Sequence, residues 1–206
     1  MLIGKYNKSL IISYLGVFFA VLGMYFLAHS LDIKACMICY LFAGVCDMLD
    51  GMVARMMKRD KDEELFGIQL DSLADTIDFV VFPIFVGLTL GFGEWYQVIA
   101  YILLAMAGVQ RLCHFNVLVI NKKDKGPVKY YSGLPVTSTS ITFPIIYLIY
   151  KLFSLNWNVF EIMFTVLTFA SAILFVLNIK VPKPRGIAYV VMGALAVIGT
   201  VLIWIL

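Results

Sequence analysis

The chain has 206 residues, 62% of them hydrophobic and 14% charged, with a mean hydropathy of +0.95 and a formal net charge of +3. A soluble domain is apolar at only about half of its positions, so this composition excludes that class and indicates an integral membrane protein. The small net charge gives no ground for a nucleic-acid partner.

Apolar windows of about 20 residues, each able to cross a hydrocarbon core of about 30 Å, fall at 9–29, 33–57, 68–92, 95–119, 134–153, 157–177 and 187–206. The expected fold is therefore all-α, a polytopic bundle of about seven transmembrane helices. The connections are short, and no repeat, low-complexity stretch or soluble domain interrupts them, so residues 1–206 read as one domain with antiparallel neighbours. In the first window Ala28-His29-Ser30 matches a small-x-small cleavage site. The apolar run before it is longer than a signal core of about 7 to 15 residues and reads as a retained anchor. In the second, Cys36 and Cys39 form a CxxC without a second pair or a nearby His, which fits packing better than metal or redox chemistry.

Basic residues accumulate in cytoplasmic loops and so set the orientation. With the N-terminus inside, Lys5, Lys8, Arg55, Lys58, Arg59, Lys61, Arg111, Lys122, Lys123, Lys125, Lys129, Lys180, Lys183 and Arg185 fall on or near one side. Only Lys34 and Lys151 do not. The seventh helix then ends outside. This one-sided charge suits an anionic leaflet or a phosphate-bearing substrate.

The second and third windows carry the carboxylates. At 100° per residue, Asp47, Asp50, Gly51, Ala54 and Arg55 share one face of the second helix, and Gly67, Asp71, Asp75 and Asp78 share one face of the third. The charged stretch from Met56 to Phe66 reads as the cytoplasmic turn between them. Asp47, Asp50, Asp71 and Asp75 are thus expected to converge near the cytoplasmic surface. An ionisable residue inside a spanning helix costs about 2.5 to 3.5 kcal/mol on the insertion scale, so such a group needs a partner or a polar cavity. Ligands that are all oxygen favour hard ions such as Mg²⁺ or Mn²⁺ over zinc, and four carboxylates suit a two-metal site for phosphoryl chemistry. The small residues on the same faces leave room for a bulky ligand, and Arg55 can neutralise a leaving phosphate.

The pattern Asp47-x-x-Asp50-Gly51-x-x-Ala54-Arg55, followed by Gly67-x-x-x-Asp71-x-x-x-Asp75, resembles the signature of the CDP-alcohol phosphatidyltransferase family. The resemblance implies a six-helix core, here with one helix more, and a homodimer. It implies that Asp47, Asp50, Asp71 and Asp75 hold two divalent cations, Mg or Mn, and that Asp75 is also the general base. It implies that Asp47, Gly51, Ala54, Arg55, Gly67 and Asp71 bind the CDP part of the donor. The interval from Arg55 to Gly67 is about three residues longer than is usual in that family.

Further segments are similar to the phosphatidylserine synthase branch: Asp71 to Asp75, Val81-Phe82-Pro83, Arg111 to Asn116, and Tyr131 to Ser138. That likeness implies CDP-diacylglycerol and L-serine as substrates, with membrane lipid around the helices. Ser and Gly are usual in that branch where this chain has Asp78 and Val80, and an Arg is frequent where it has His114. Asp78, Arg111, Asn116, Lys129 and Tyr131 are the candidates for contacting the acceptor or a phosphate. Arg111 has snorkelling as its alternative, His114 is expected to cap a helix end, and Asp78 contacts the acceptor amine, pairs with Arg111 or is a neutral buried carboxyl. A primary alcohol is a poor nucleophile at neutral pH, so a carboxylate must take its proton, and Asp75 is the candidate. Sister enzymes with glycerol phosphate, inositol phosphate or an amino alcohol as acceptor remain alternatives, as does a divalent-cation transporter.

Overall fold

The protein is described by a computed structural model covering residues 8–57, 59–121, 130–182 and 187–206. Of the basic residues that argue orientation, Lys5, Lys58, Lys122, Lys123, Lys125, Lys129, Lys183 and Arg185 lie outside the described residues.

Among the described residues eight α-helices carry the fold. They are α1 (Lys8–Ser30), α2 (Ile33–Met56), α3 (Lys61–Asp75), α4 (Phe82–Thr89), α5 (Trp95–Ile120), α6 (Thr139–Leu152), α7 (Trp157–Val176) and α8 (Ile187–Ile205). A π-helical stretch, Thr76–Val81, fuses α3 and α4 into one shaft, and a turn of 3₁₀ helix at Val136–Ser138 leads into α6. The all-α expectation holds apart from a small ribbon in which β1 (Tyr130–Ser132) pairs antiparallel with β2 (Lys180–Pro182), Tyr131 opposite Val181.

Each apolar window coincides with a helix. Among the described residues five are long and apolar enough to span a bilayer: Leu10–Ser30, Ile33–Ala54, Lys61–Thr89, Trp95–Ile120 and Trp157–Val176. Val136–Leu152 and Gly193–Ile205 are apolar but shorter. Large side chains such as Phe18, Leu73, Met106, Ile162 and Trp204 stand exposed on the outside of the bundle, as a hydrocarbon solvent permits. This is an integral membrane protein.

Two helix boundaries have clear local causes. Between α1 and α2 the chain turns through Leu31, at φ 53°, and Asp32, whose carboxylate accepts the Ala35 N–H at 2.9 Å. At the start of α3, Asp60 and Glu63 form a reciprocal capping box, with Glu63 N–H donating to Asp60 Oδ1 at 2.7 Å and Asp60 N–H to Glu63 Oε2 at 3.1 Å. The third helix therefore begins at Lys61, seven residues before the expected start at 68. The charged segment taken as a turn is mostly the first turns of that helix, because its acidic residues suit the positive end of a helix dipole.

The core lies where α1 and α2 pack along their lengths, where α5 packs on α7, and where the π stretch passes between these pairs. Tyr40 stacks on Phe82 at 4.0 Å between ring centroids, and Phe143, Phe160 and Phe164 fill the space between α6 and α7. The Thr139 hydroxyl accepts from Tyr40 Oη at 2.6 Å and donates toward the carbonyls of Val136, at 2.8 Å, and Phe79, at 3.1 Å. These contacts fix the middle of the shaft, and with it the carboxylates one turn nearer the cytoplasmic side in the expected orientation.

Candidate active site

α2 and α3 form a hairpin whose facing sides carry the acidic residues. Asp47, Asp71 and Asp75 each offer a carboxylate oxygen, and these three oxygens lie within 4.8 Å of one another, all in half-buried side chains. Asp47 of α2 and Asp75 of α3 thus bring their carboxyl groups face to face. Two carboxyl groups approach that closely only with a proton or a cation between them, since two bare negative charges would drive them apart. All the donors in the cluster are oxygens and all are anionic, which is the ligand chemistry of a hard divalent cation.

Asp50 is placed differently from the expectation of four convergent carboxylates. It is buried, and its Oδ2 accepts a hydrogen bond from Ser13 Oγ of α1 at 2.6 Å. It lies within electrostatic reach of Asp71 but outside the close group of three. The reason is geometric: Asp47 and Asp50 are about 60° apart around the helix, so one faces α3 and the other turns toward α1.

The small residues of the signature differ in their surroundings. Gly51 is exposed, and a Cβ there would meet nothing within 4 Å. At Gly67 a Cβ would stand 3.1 Å from Arg59 Nη1, so this guanidinium lies directly over the glycine. Ala54 is half-buried on the same side of α2. Arg55 belongs to α2 and Tyr131 to β1, but their side chains lie outside the described part; Lys129 lies outside the described residues altogether.

The remaining candidates are dispersed. Asp78, in the π stretch, is only 3% exposed, and its Oδ1 is buried without a hydrogen-bond partner. It is packed against α1, where a Cβ on Gly16 would meet Asp78 Oδ2 at 2.9 Å. Asn116 reaches α3, accepting from the Ser72 hydroxyl at 2.8 Å, next to Asp71 in the chain. Arg111 is buried at the end of α7, its Nη1 3.5 Å from the Phe175 carbonyl and 2.6 Å from where a Cβ on Gly133 would stand. Gly133 adopts φ 80° there, and a side chain would collide with both Arg111 and the α7 carbonyls. His114 does not cap a helix end: it is exposed within α5, which runs on to Ile120 with Asn121 as its cap. Cys36 and Cys39 are free, buried thiols, in keeping with a packing role.

Ser13 and Arg59 were not legible as site residues. Ser13 is a single hydroxyl in an apolar run, and Arg59 reads as one more charge in a basic loop.

The sequence also matches known proteins. The sequence model for CDP-alcohol phosphatidyltransferases matches residues 7–205. A CDP-diacylglycerol–serine O-phosphatidyltransferase of Saccharomyces cerevisiae is 38% identical over 104 residues, covering 48% of this chain and 37% of that protein. An archaetidylserine synthase of Methanothermobacter thermautotrophicus is 34% identical over 118 residues, covering 57% of this chain and 48% of that protein. The matched segments thus span less than half the length of either relative.

Proposed function

Because the chain belongs to the CDP-alcohol phosphatidyltransferase family, we propose that it transfers the phosphatidyl group of CDP-diacylglycerol to the hydroxyl of L-serine, giving phosphatidylserine and CMP. The observation that carries the reading is the group of Asp47, Asp71 and Asp75, whose ligand oxygens lie within 4.8 Å on one helical hairpin. Serine as acceptor is supported by the names of both relatives and by the segments shared with the serine branch.

Asp47, Asp50, Asp71 and Asp75 are the residues that would hold two divalent cations, Mg²⁺ or Mn²⁺. Once bound, such ions supply Lewis-acid polarisation of the phosphoryl oxygens and offset the charge of the pyrophosphate. Asp75 accepts the serine hydroxyl proton as the oxygen attacks the lipid-side phosphorus; the new P–O bond forms while the bond to CMP breaks, and CMP leaves with the bridging oxygen. Gly51, Ala54 and Gly67, with Asp47 and Asp71, make the bed for the CDP moiety, where Arg55 and the neighbouring Arg59 balance the phosphate charge. The position suits substrates of two kinds, since CDP and serine come from water while the acyl chains stay between helices.

On the acceptor side we assign the serine ammonium to Asp78, which has an unpartnered carboxylate oxygen. Asn116 stands beside Asp71 through its contact with Ser72, Arg111 braces Gly133 against the end of α7, and Lys129 and Tyr131 belong to the connection that follows α5. The whole chain acts as one domain, in the cell membrane as a homodimer, with the site toward the cytoplasm.

The test is CMP release by purified protein in detergent with CDP-diacylglycerol and Mn²⁺ or Mg²⁺, comparing serine, glycerol 3-phosphate, inositol and no acceptor. Release with serine and metal alone is expected, and none from Asp75→Asn. Release with a different acceptor would keep the hairpin chemistry and discard serine. Asp78→Asn, which removes the charge at nearly constant shape, should raise the KM for serine by about tenfold or more, the worth of one charged hydrogen bond, and leave the KM for the donor unchanged.

A further inference from the structure

The signature residues all lie on α2 and α3, yet one side of Asp50 is closed by α1. The Ser13 Oγ to Asp50 Oδ2 distance of 2.6 Å is in the short range of charge-assisted O–H···O⁻ bonds, and both side chains are buried, at 8% and 6% exposure. This bond reaches across from α1 to α2 and restricts rotation of the carboxylate. A carboxylate has about four lone-pair positions, so this arrangement still leaves it able to bind a cation.

The register of α1 is itself pinned. Gly16, one turn further along, lets the helix lie against Cys46 and Asp78; a Cβ at that position would stand 3.6 Å from Cys46 Cβ and 2.9 Å from Asp78 Oδ2. Ser13 is therefore held at the height of Asp50 by packing independent of its own hydrogen bond.

We infer that Ser13 is a positioning residue of the metal centre, fixing Asp50 as its outer carboxylate so that the first helix completes a site otherwise built on the hairpin. The inference rests on the metal reading above. Hydrogen-bond partners of metal ligands restrict ligand rotation, and removing one typically weakens metal affinity by about 10- to 100-fold.

The experiment measures Mn²⁺ affinity of the full chain in detergent from the electron paramagnetic resonance signal of free Mn²⁺, alongside melting of the metal-free protein. Ser13→Ala should bind Mn²⁺ at least about tenfold more weakly while still giving a cooperative metal-free melt, and Ser13→Thr should restore binding. The double variant Ser13→Ala with Asp50→Asn should bind no more weakly than Asp50→Asn alone, because both changes act through one carboxylate. Wild-type affinity in Ser13→Ala, or additive losses in the double variant, would overturn the inference. If Ser13→Ala does not fold, Ser13→Cys, whose thiol is a weak donor, takes its place with the same expectation. Wild-type protein that binds no Mn²⁺ would remove the metal reading itself, and this inference with it. Mn²⁺ binding without serine-dependent CMP release would discard only the acceptor.

Discussion

Val80 and Asp78 occupy positions where the related branch usually has Gly and Ser, and both are seated against a glycine of another helix. A Cβ on Gly108 of α5 would stand 2.5 Å from Val80 Cγ2, and one on Gly16 of α1 would meet Asp78. Close approach at small residues is the ordinary means by which membrane helices pack, since lipid offers no hydrophobic drive to bring them together. Gly108→Ala is therefore expected to destabilise by about 1 to 3 kcal/mol, the usual cost of overpacking, read as a lower melting temperature in detergent. At this scale the sequence was most informative where charge met periodicity. Asp71 and Asp75 stand four apart in an apolar background, which sets them on one face of α3, and Asp47 meets them from α2. The turn of Asp50 toward Ser13 escaped the same reasoning, because a face drawn for one helix does not say which neighbour each part of it meets.

Among the elements, the shaft formed by α3, the π stretch and α4 is the least regular and the best explained. Pro83 has no N–H and cannot bond the Phe79 carbonyl four residues before it, and its ring crowds that carbonyl. The helix widens just ahead of it, so that the Phe82 N–H reaches Ile77. The Phe79 carbonyl is then served from α6 by Thr139, whose hydroxyl also receives Tyr40 Oη. Thr139→Val removes this junction and leaves two buried groups short of a partner, for an expected loss of about 1 to 3 kcal/mol measured as thermal or denaturant stability. The Val81-Phe82-Pro83 motif was plain in the sequence, but its structural effect was not, because the compensating hydroxyl lies 60 residues away. The early start of α3 was readable in principle, as Asp60-x-x-Glu63 has the form of a capping box; its surrounding charges gave it the look of a loop.

Across the molecule, α5 ties two regions together. Near its start, Gln97 donates from Nε2 to Glu161 Oε1 at 2.7 Å and to Thr165 at 3.3 Å while accepting the Glu94 N–H at 2.8 Å. Near its other end, Asn116 holds Ser72 beside the acidic group. The 19 helical steps from Gln97 to Asn116 correspond to about 28 Å along a helix. Gln97→Ala should accordingly lower the melting temperature yet leave Mn²⁺ affinity as in the wild type, and a parallel melt and metal titration would check both halves. Such long-range ties were invisible in hydropathy, which reported seven apolar windows but not their neighbours. The short turn between α2 and α3 carries a consequence in time. Ser13, Asp47, Asp50, Asp71 and Asp75 all precede the middle of the chain, and contacts between segments so near in sequence form fast. During synthesis, every carboxylate of the cluster has been made before α5 begins, so a nascent chain can gather its acidic hairpin and then build the remaining helices around it.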